Sequence, residues 1–189
     1  MKDLHSHILF GIDDGCNSID EAINLLKESK KQGIDEIILT PHYIENSKFN
    51  CNNTEKKALF EKLKSKLAEE NIDIKIYLGN EIFFTDNFLD LLEKDEICTL
   101  NNSKYILFEF PMGPIYNNTS EIISLLISND YIPILAHPER YSRFQEHPEI
   151  AEEYLRMGVH LQGNFTSLFG KYGKTSLKTL KYLLKKHYI

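Results

Sequence analysis

The chain has 189 residues and a formal net charge of −6, with 42% hydrophobic and 26% charged residues. That balance suits one globular domain over residues 1–189 and argues against a nucleic-acid surface, which needs a basic stripe. The sequence has no apolar run of about 18 residues, so no membrane span is expected. Its N-terminus also lacks the basic-then-apolar pattern of a signal peptide. Cys16, Cys51 and Cys98 are odd in number and lack metal-like spacing, which fits a reducing cytoplasm.

Residues 2–6 read as a short buried strand running into His5-Ser-His7, and a glycine-flanked loop, Gly11-Ile-Asp-Asp-Gly15, follows. Ser18-Ile-Asp-Glu21 is a capping-box pattern. The helix it opens carries Ala22, Leu25, Leu26 and Ser29 on one face and ends near Gly33. Glu36-Ile-Ile-Leu-Thr40 reads as a strand covered on both faces, followed by Pro41-His42. Residues 46–53 read as a loop, and Thr54 as the cap of a helix over 55–70, whose Leu59, Leu63 and Leu67 keep a spacing of four.

Asp73–Leu78 alternates as a strand, with Gly79-Asn80-Glu81 at its end. A short helix is predicted over 86–94, then the strand Lys104–Phe108, ending in Glu109-Phe-Pro111. Helix 119–129 leads to the strand Ile132–Ala136 and then His137-Pro-Glu-Arg140. Helix 148–157 stops at Gly158, the strand Val159–Gln162 follows, and a helix over 174–186 closes the chain.

Strands alternating with helices imply an α/β protein with a parallel sheet, open or closed into a barrel. Sites in such folds gather at the carboxyl ends of the strands. Those ends carry His5, His7, His42, Glu81, Glu109 and His137 in succession. A single histidine is more often a satisfied side chain than a ligand; six metal-competent residues at five consecutive strand ends point to a metal site. His5 and His7, at i and i+2 of one strand, point to the same side. The loop after them can return Asp13, Asp14 or both, although either could be a plain turn former.

The set offers nitrogen and oxygen donors without thiolate, which favours Mn, Fe or Zn and more than one ion. Such clusters generate hydroxide at neutral pH and hold both oxygens of a phosphoryl transfer. Arg140 suits a phosphate clamp; the alternative is a surface arginine paired with Glu139 or Glu146. The lysines of 171–186 read as a solvated helix face. The residues thus describe a cytosolic metal-dependent phosphoesterase.

Asp3–Gly15, Thr40-Pro-His42, Gly79-Asn-Glu81, Phe108-Glu-Phe-Pro111 and Leu135-Ala-His-Pro-Glu-Arg140 resemble the polymerase-and-histidinol-phosphatase (PHP) superfamily. Together with Leu161-Gln-Gly-Asn and Ser167–Gly173, they are most similar to its bacterial branch of capsular and exopolysaccharide protein-tyrosine phosphatases. The resemblance implies a distorted (β/α)7 barrel holding two or three divalent ions, often Mn2+. It implies His5, His7, Asp14, His42, Glu81, Glu109 and His137 as ligands, with Glu109 bridging and Arg140 on the phosphate. The implied substrate is phosphotyrosine in the tail of an autophosphorylating kinase of polysaccharide export. A small-molecule phosphatase of the histidinol-phosphate type and a non-catalytic phosphotyrosine- or kinase-binding module are the alternatives.

A cysteine-based mechanism would need Cys-x5-Arg, yet the positions six after the cysteines hold Ala22, Lys57 and Lys104. The family continues into a last strand with an Asp-x-His ligand pair and a final helix, whereas this sequence stops at His187-Tyr-Ile189. The expectation from that departure is a barrel incomplete at its C-terminus, open beside the first strand, with a weakly held metal position. Self-association through the open edge is expected with it.

Overall fold

The structure is a computed structural model and describes residues 1–112 and 118–189. The chain divides into two compact units, Met1–Ser103 and Lys104–Ile189.

The first unit runs β1 (Lys2–Ser6), α1 (Ile19–Lys31), β2 (Glu36–Leu39), β3 (His42–Tyr43), α2 (Asn53–Glu69), β4 (Lys75–Leu78), β5 (Glu81–Phe83) and α3 (Phe88–Glu93). Among the described residues, β1, β2 and β4 pair in parallel in the order β1-β2-β4, and β3 pairs in parallel with β5. The core collects Leu9, Ala22, Leu26, Ile37, Leu39 and Leu63, all without exposed surface. These residues come from α1, α2, β2 and the loop after β1, so the sheet lies under two amphipathic helices.

Several local readings hold and a few shift. Ser18 accepts the Glu21 amide at 3.2 Å, as a capping serine should, but the Glu21 carboxylate reaches back to the Asn17 amide, one residue beyond the cap. The buried stripe of α1 is Ala22, Ile23 and Leu26, while Leu25 is largely exposed. Helix α2 begins two residues earlier than expected, because the Asn52 side chain, not Thr54, accepts the Glu55 amide at 3.0 Å. β1 is not a buried strand: it ends its sheet, and only Ser6 of its five residues is buried.

The larger difference lies at two corners. β2 and β4 do not simply end in loops. After Thr40-Pro41 and after Gly79-Asn80 the chain bends and starts the short strands β3 and β5. His42 and Glu81 each open one of these strands and sit opposite each other in register. The sequence pattern missed them because two- and three-residue strands carry no periodicity.

The second unit runs β6 (Tyr105–Glu109), α4 (Thr119–Ser128), β7 (Ile132–Ala136), α5 (Ser142–Glu146), α6 (Ala151–Arg156), β8 (His160–Gln162) and α7 (Gly173–Lys185). Among the described residues its strands pair in parallel in the order β6-β7-β8. Single 3-10 turns cover Pro138–Arg140, Pro148–Ile150 and Phe165–Phe169. The expected helix 148–157 is therefore a 3-10 turn followed by α6, which stops before Gly158 at φ +90. An aromatic cluster fills this core: Phe110 packs edge-on against Phe108, Tyr141 and Tyr154. The Tyr141 hydroxyl accepts the Phe110 amide at 3.0 Å, which satisfies both polar groups inside it. The α/β class with parallel strands is the one expected.

Candidate metal centre

In the first unit, three imidazoles converge on one carboxylate oxygen. Glu81 Oε2 lies 3.0 Å from His5 Nε2, 3.1 Å from His7 Nε2 and 3.2 Å from His42 Nδ1. The Glu81 side chain is 1% exposed. His5 Nε2 and His7 Nε2 are themselves 3.3 Å apart. Asp14 Oδ1 stands 3.6 Å from His42 Nε2, on a side chain 68% exposed. Two overlapping groups, His5-His7-Glu81 and His7-Asp14-His42, each keep their donor atoms within 4.8 Å of one another.

These separations fit divalent cations. Donors about 2.1 Å from a shared ion stand about 3 to 3.5 Å from each other. A carboxylate oxygen facing three imidazole nitrogens at that spacing is the arrangement such an ion draws together. The set is hard-to-borderline nitrogen and oxygen, which suits Mn, Fe or Zn.

Backbone and side-chain contacts fix each donor. Ser6 donates its amide to Thr40 Oγ1 at 3.0 Å, and the Thr40 amide donates to the Ser6 carbonyl at 2.8 Å, tying the ends of β1 and β2 together. Asp13 is fully buried at its side chain and stands 2.9 Å from His7 Nδ1. It also accepts the His42 amide at 3.0 Å and the Gly15 amide at 2.9 Å. Asp13 therefore orients one imidazole and the backbone of a second, leaving His7 Nε2 turned toward Glu81.

The electrostatics follow from these contacts. Burial opposes a charged His7, but its hydrogen bonds to Asp13 and Glu81 outweigh that and raise its pKa to about 10. Burial likewise pushes the Asp13 carboxyl up, and the contacts from His7, Gly15 and His42 more than reverse it, so its pKa is lowered. The turn needs glycine at position 15: a Cβ there would lie 2.1 Å from the His7 carbonyl oxygen.

Glu81 is held from behind by Asn80. The Asn80 amide group donates to the Pro41 carbonyl at 3.0 Å, next to His42. Its oxygen accepts from the Cys98 amide at 3.0 Å and from the ammonium of Lys56. Lys56 has no exposed surface, and burial lowers its pKa.

In the second unit, Glu109 ends β6 and His137 follows β7, with His137 Nε2 3.6 Å from Glu109 Oε2. His137 takes a left-handed backbone, φ 37 and ψ 55, immediately before Pro138. Non-glycine residues rarely sit there, and such conformations concentrate at functional positions. Arg140 stacks its guanidinium 4.6 Å from the centre of the Tyr172 ring. Glu139 does not serve Arg140. It is fully buried and accepts the Asn164 amide at 3.0 Å and the Ser167 hydroxyl at 2.6 Å.

The family described as "Capsular polysaccharide synthesis, CpsB/CapC" matches residues 1–189. The chain belongs to the CpsB/CapC family. It is 36% identical to CapC of Staphylococcus aureus over 95% of this chain and 72% of that protein. It is 33% identical to the tyrosine-protein phosphatase CpsB of Streptococcus pneumoniae, over 98% of this chain and 78% of that one. A crystal structure described among those of YwqE from Bacillus subtilis and CpsB from Streptococcus pneumoniae, "unique metal-dependent tyrosine phosphatases", superimposes with a TM-score of 0.94. It is 30% identical and covers 100% of this chain and 76% of that one.

Within this CpsB/CapC chain, the first unit brings His5, His7, Asp14, His42 and Glu81 together, and the second brings Glu109 beside His137. Sequence reasoning left Asp13 as an even choice between turn former and functional residue; its place in the Gly11–Gly15 loop was the available signal. It gave no role to Asn80 or Lys56, and it read Glu139 only as a possible surface partner of Arg140. Burial pushes the Cys16 and Cys51 thiols up to about 11 and raises Cys98 as well, which disfavours the thiolate a cysteine nucleophile needs.

Proposed function

We propose that this chain is a metal-dependent protein-tyrosine phosphatase acting by metal-activated water. The observation that carries the reading is the meeting of His5, His7 and His42 on Glu81, backed by Asp13. Family membership and the metal-dependent tyrosine phosphatases among the relatives support it.

Bound divalent cations lower the pKa of water and offset the charge of a transferring phosphoryl group. His5, His7, Asp14, His42 and Glu81 would hold them, with Glu109 and His137 as the further ligands implied by the resemblance. Mn2+ is the proposed ion, in two or three positions. Asp13 keeps the His7 Nε2 lone pair directed inward by hydrogen bonding to Nδ1. Arg140, held over the Tyr172 ring, would supply its guanidinium to phosphate oxygens. The proposed substrate is phosphotyrosine on the tail of an autophosphorylating kinase of polysaccharide export, reached in the cytoplasm. The proposed architecture is the distorted (β/α)7 barrel of the PHP superfamily.

The test is hydrolysis of a phosphotyrosyl peptide by the purified chain. Activity should rise with Mn2+, vanish with chelator, and be lost in Glu81→Gln. Histidinol phosphate turned over in preference to the peptide would move the assignment to a small-molecule phosphatase. A folded, metal-loaded protein that binds the peptide without releasing phosphate would make it a binding module.

A further inference from the structure

The 3-10 turn Phe165–Phe169 exposes two large aromatic rings, Phe165 at 70% and Phe169 at 76%. They pack edge to face with centroids 5.3 Å apart, so they form one patch and not two isolated side chains. The turn is fastened beside Arg140. Glu139, the preceding residue, grips the Asn164 amide and the Ser167 hydroxyl, and Arg140 itself stacks on Tyr172, just beyond the turn. Lys171 adds its ammonium 5.6 Å from the same Tyr172 ring.

Charge sets this region apart. Residues 163–189 contain six lysines and no Asp or Glu, in a chain whose net charge is −6. All six lysines are exposed. An exposed apolar pair followed in the chain by Lys171 and a lysine-bearing helix suits a partner that brings apolar side chains and negative charge together.

The area decides among occupants. Two phenylalanines bury about 150 to 250 Å² each, far below the roughly 1,200 Å² that a stable protein pair needs. A membrane-surface site would need a whole apolar helix face. The patch matches a short peptide segment laid across it.

We propose that Phe165, Phe169 and Lys171 form a docking surface for the polypeptide flanking a phosphotyrosine, with an apolar residue on the rings and acidic residues toward the lysines. This rests on the phosphatase reading, and it names what the site would read beyond the phosphotyrosine itself. Arg140 would take the phosphate, and the stapled turn would receive the neighbouring residues.

Two measurements on the full chain separate this inference from the catalytic reading. Fluorescence anisotropy of a labelled phosphotyrosyl peptide with glutamate flanks, in the presence of chelator, reads docking without turnover. Initial rates on that peptide and on phenyl phosphate read it through selectivity. The variant Phe165→Ser/Phe169→Ser should weaken peptide binding about tenfold and lower the ratio of peptide to phenyl phosphate kcat/KM by a similar factor. Lys171→Glu should act in the same direction and remove part of the salt dependence of binding. All three positions are exposed, and a circular-dichroism melt of each variant checks the fold.

Wild-type affinity and an unchanged selectivity ratio in the double serine variant would overturn the proposal. So would concentration-dependent dimers lost in that variant, which would assign the rings to a second copy of the chain. Binding to anionic vesicles in place of the peptide would overturn it too. Failure of wild type on both phosphate esters would strike the catalytic reading alone, because anisotropy would still decide the docking.

Discussion

Replacing Asp13 by asparagine keeps the shape of the side chain and removes the charge that holds His7. If Asp13 orients the ring, Asp13→Asn should weaken metal binding about 10- to 100-fold, read by competition with a chromophoric chelator. Wild-type affinity would reduce Asp13 to a turn residue. Gly15 faces a harder limit, since a methyl group would sit 2.1 Å from the His7 carbonyl oxygen and 2.6 Å from the His7 Cβ. Gly15→Ala should cost at least about 1 to 3 kcal/mol by overpacking, seen as a lower midpoint in urea. His7 predicts a pH dependence. Its folded pKa of about 10 lies above the ordinary 6.5, so the metal-free chain gains stability that is full below pH 6.5 and lost as pH rises toward 10. Metal must displace that proton, so affinity should climb over the same interval. Denaturation in chelator and metal titration across it check both halves; a flat profile in each would remove the His7–Asp13–Glu81 coupling.

At the level of elements, the corner after β4 depends on a helix residue that pattern reading places in water. Lys56 lies in α2, where a lysine normally snorkels outward, yet it is fully buried against Asn80. Nothing in the i, i+4 spacing of Leu59, Leu63 and Leu67 marks it, because burial here is decided by the approach of the β4–β5 corner. Asn80→Ala would leave the ammonium only its contact with the Cys98 side chain and should cost about 1 to 3 kcal/mol. Adding Lys56→Met should recover much of that loss, and a double-variant cycle in urea measures the coupling. Additive losses would show that the two side chains act separately. The same contrast explains what the sequence disclosed. His5 and His7 were readable from strand alternation, and His42, Glu81, Glu109 and His137 from their positions at the close of apolar runs. Glu139 was not, because a carboxylate next to an arginine reads as its partner until the Phe165–Phe169 turn folds over it.

For the molecule as a whole, metal and folding should be linked. Ions that bind the folded chain and not the unfolded one raise its midpoint by mass action, so chelation should lower the melting temperature as well as stop hydrolysis. Restoring Mn2+ should return both together; activity lost with no thermal shift would place the ions outside the packed cluster. The α/β class was legible from the succession of apolar runs and helical stripes, whereas the division into units at Ser103 was not, since no glycine- or proline-rich linker marks it. The pairing of β3 with β5 carries one more consequence, for how this protein can change length over evolutionary time. His42 and Glu81 face each other through parallel register, and alternate residues of a strand point to opposite faces. Losing one residue from Gly79-Asn80 would bring Ile82 opposite His42 and turn the carboxylate away. Insertions and deletions should therefore accumulate in the stretches 44–52 and 84–87, while the corners 40–42 and 79–81 keep a constant count.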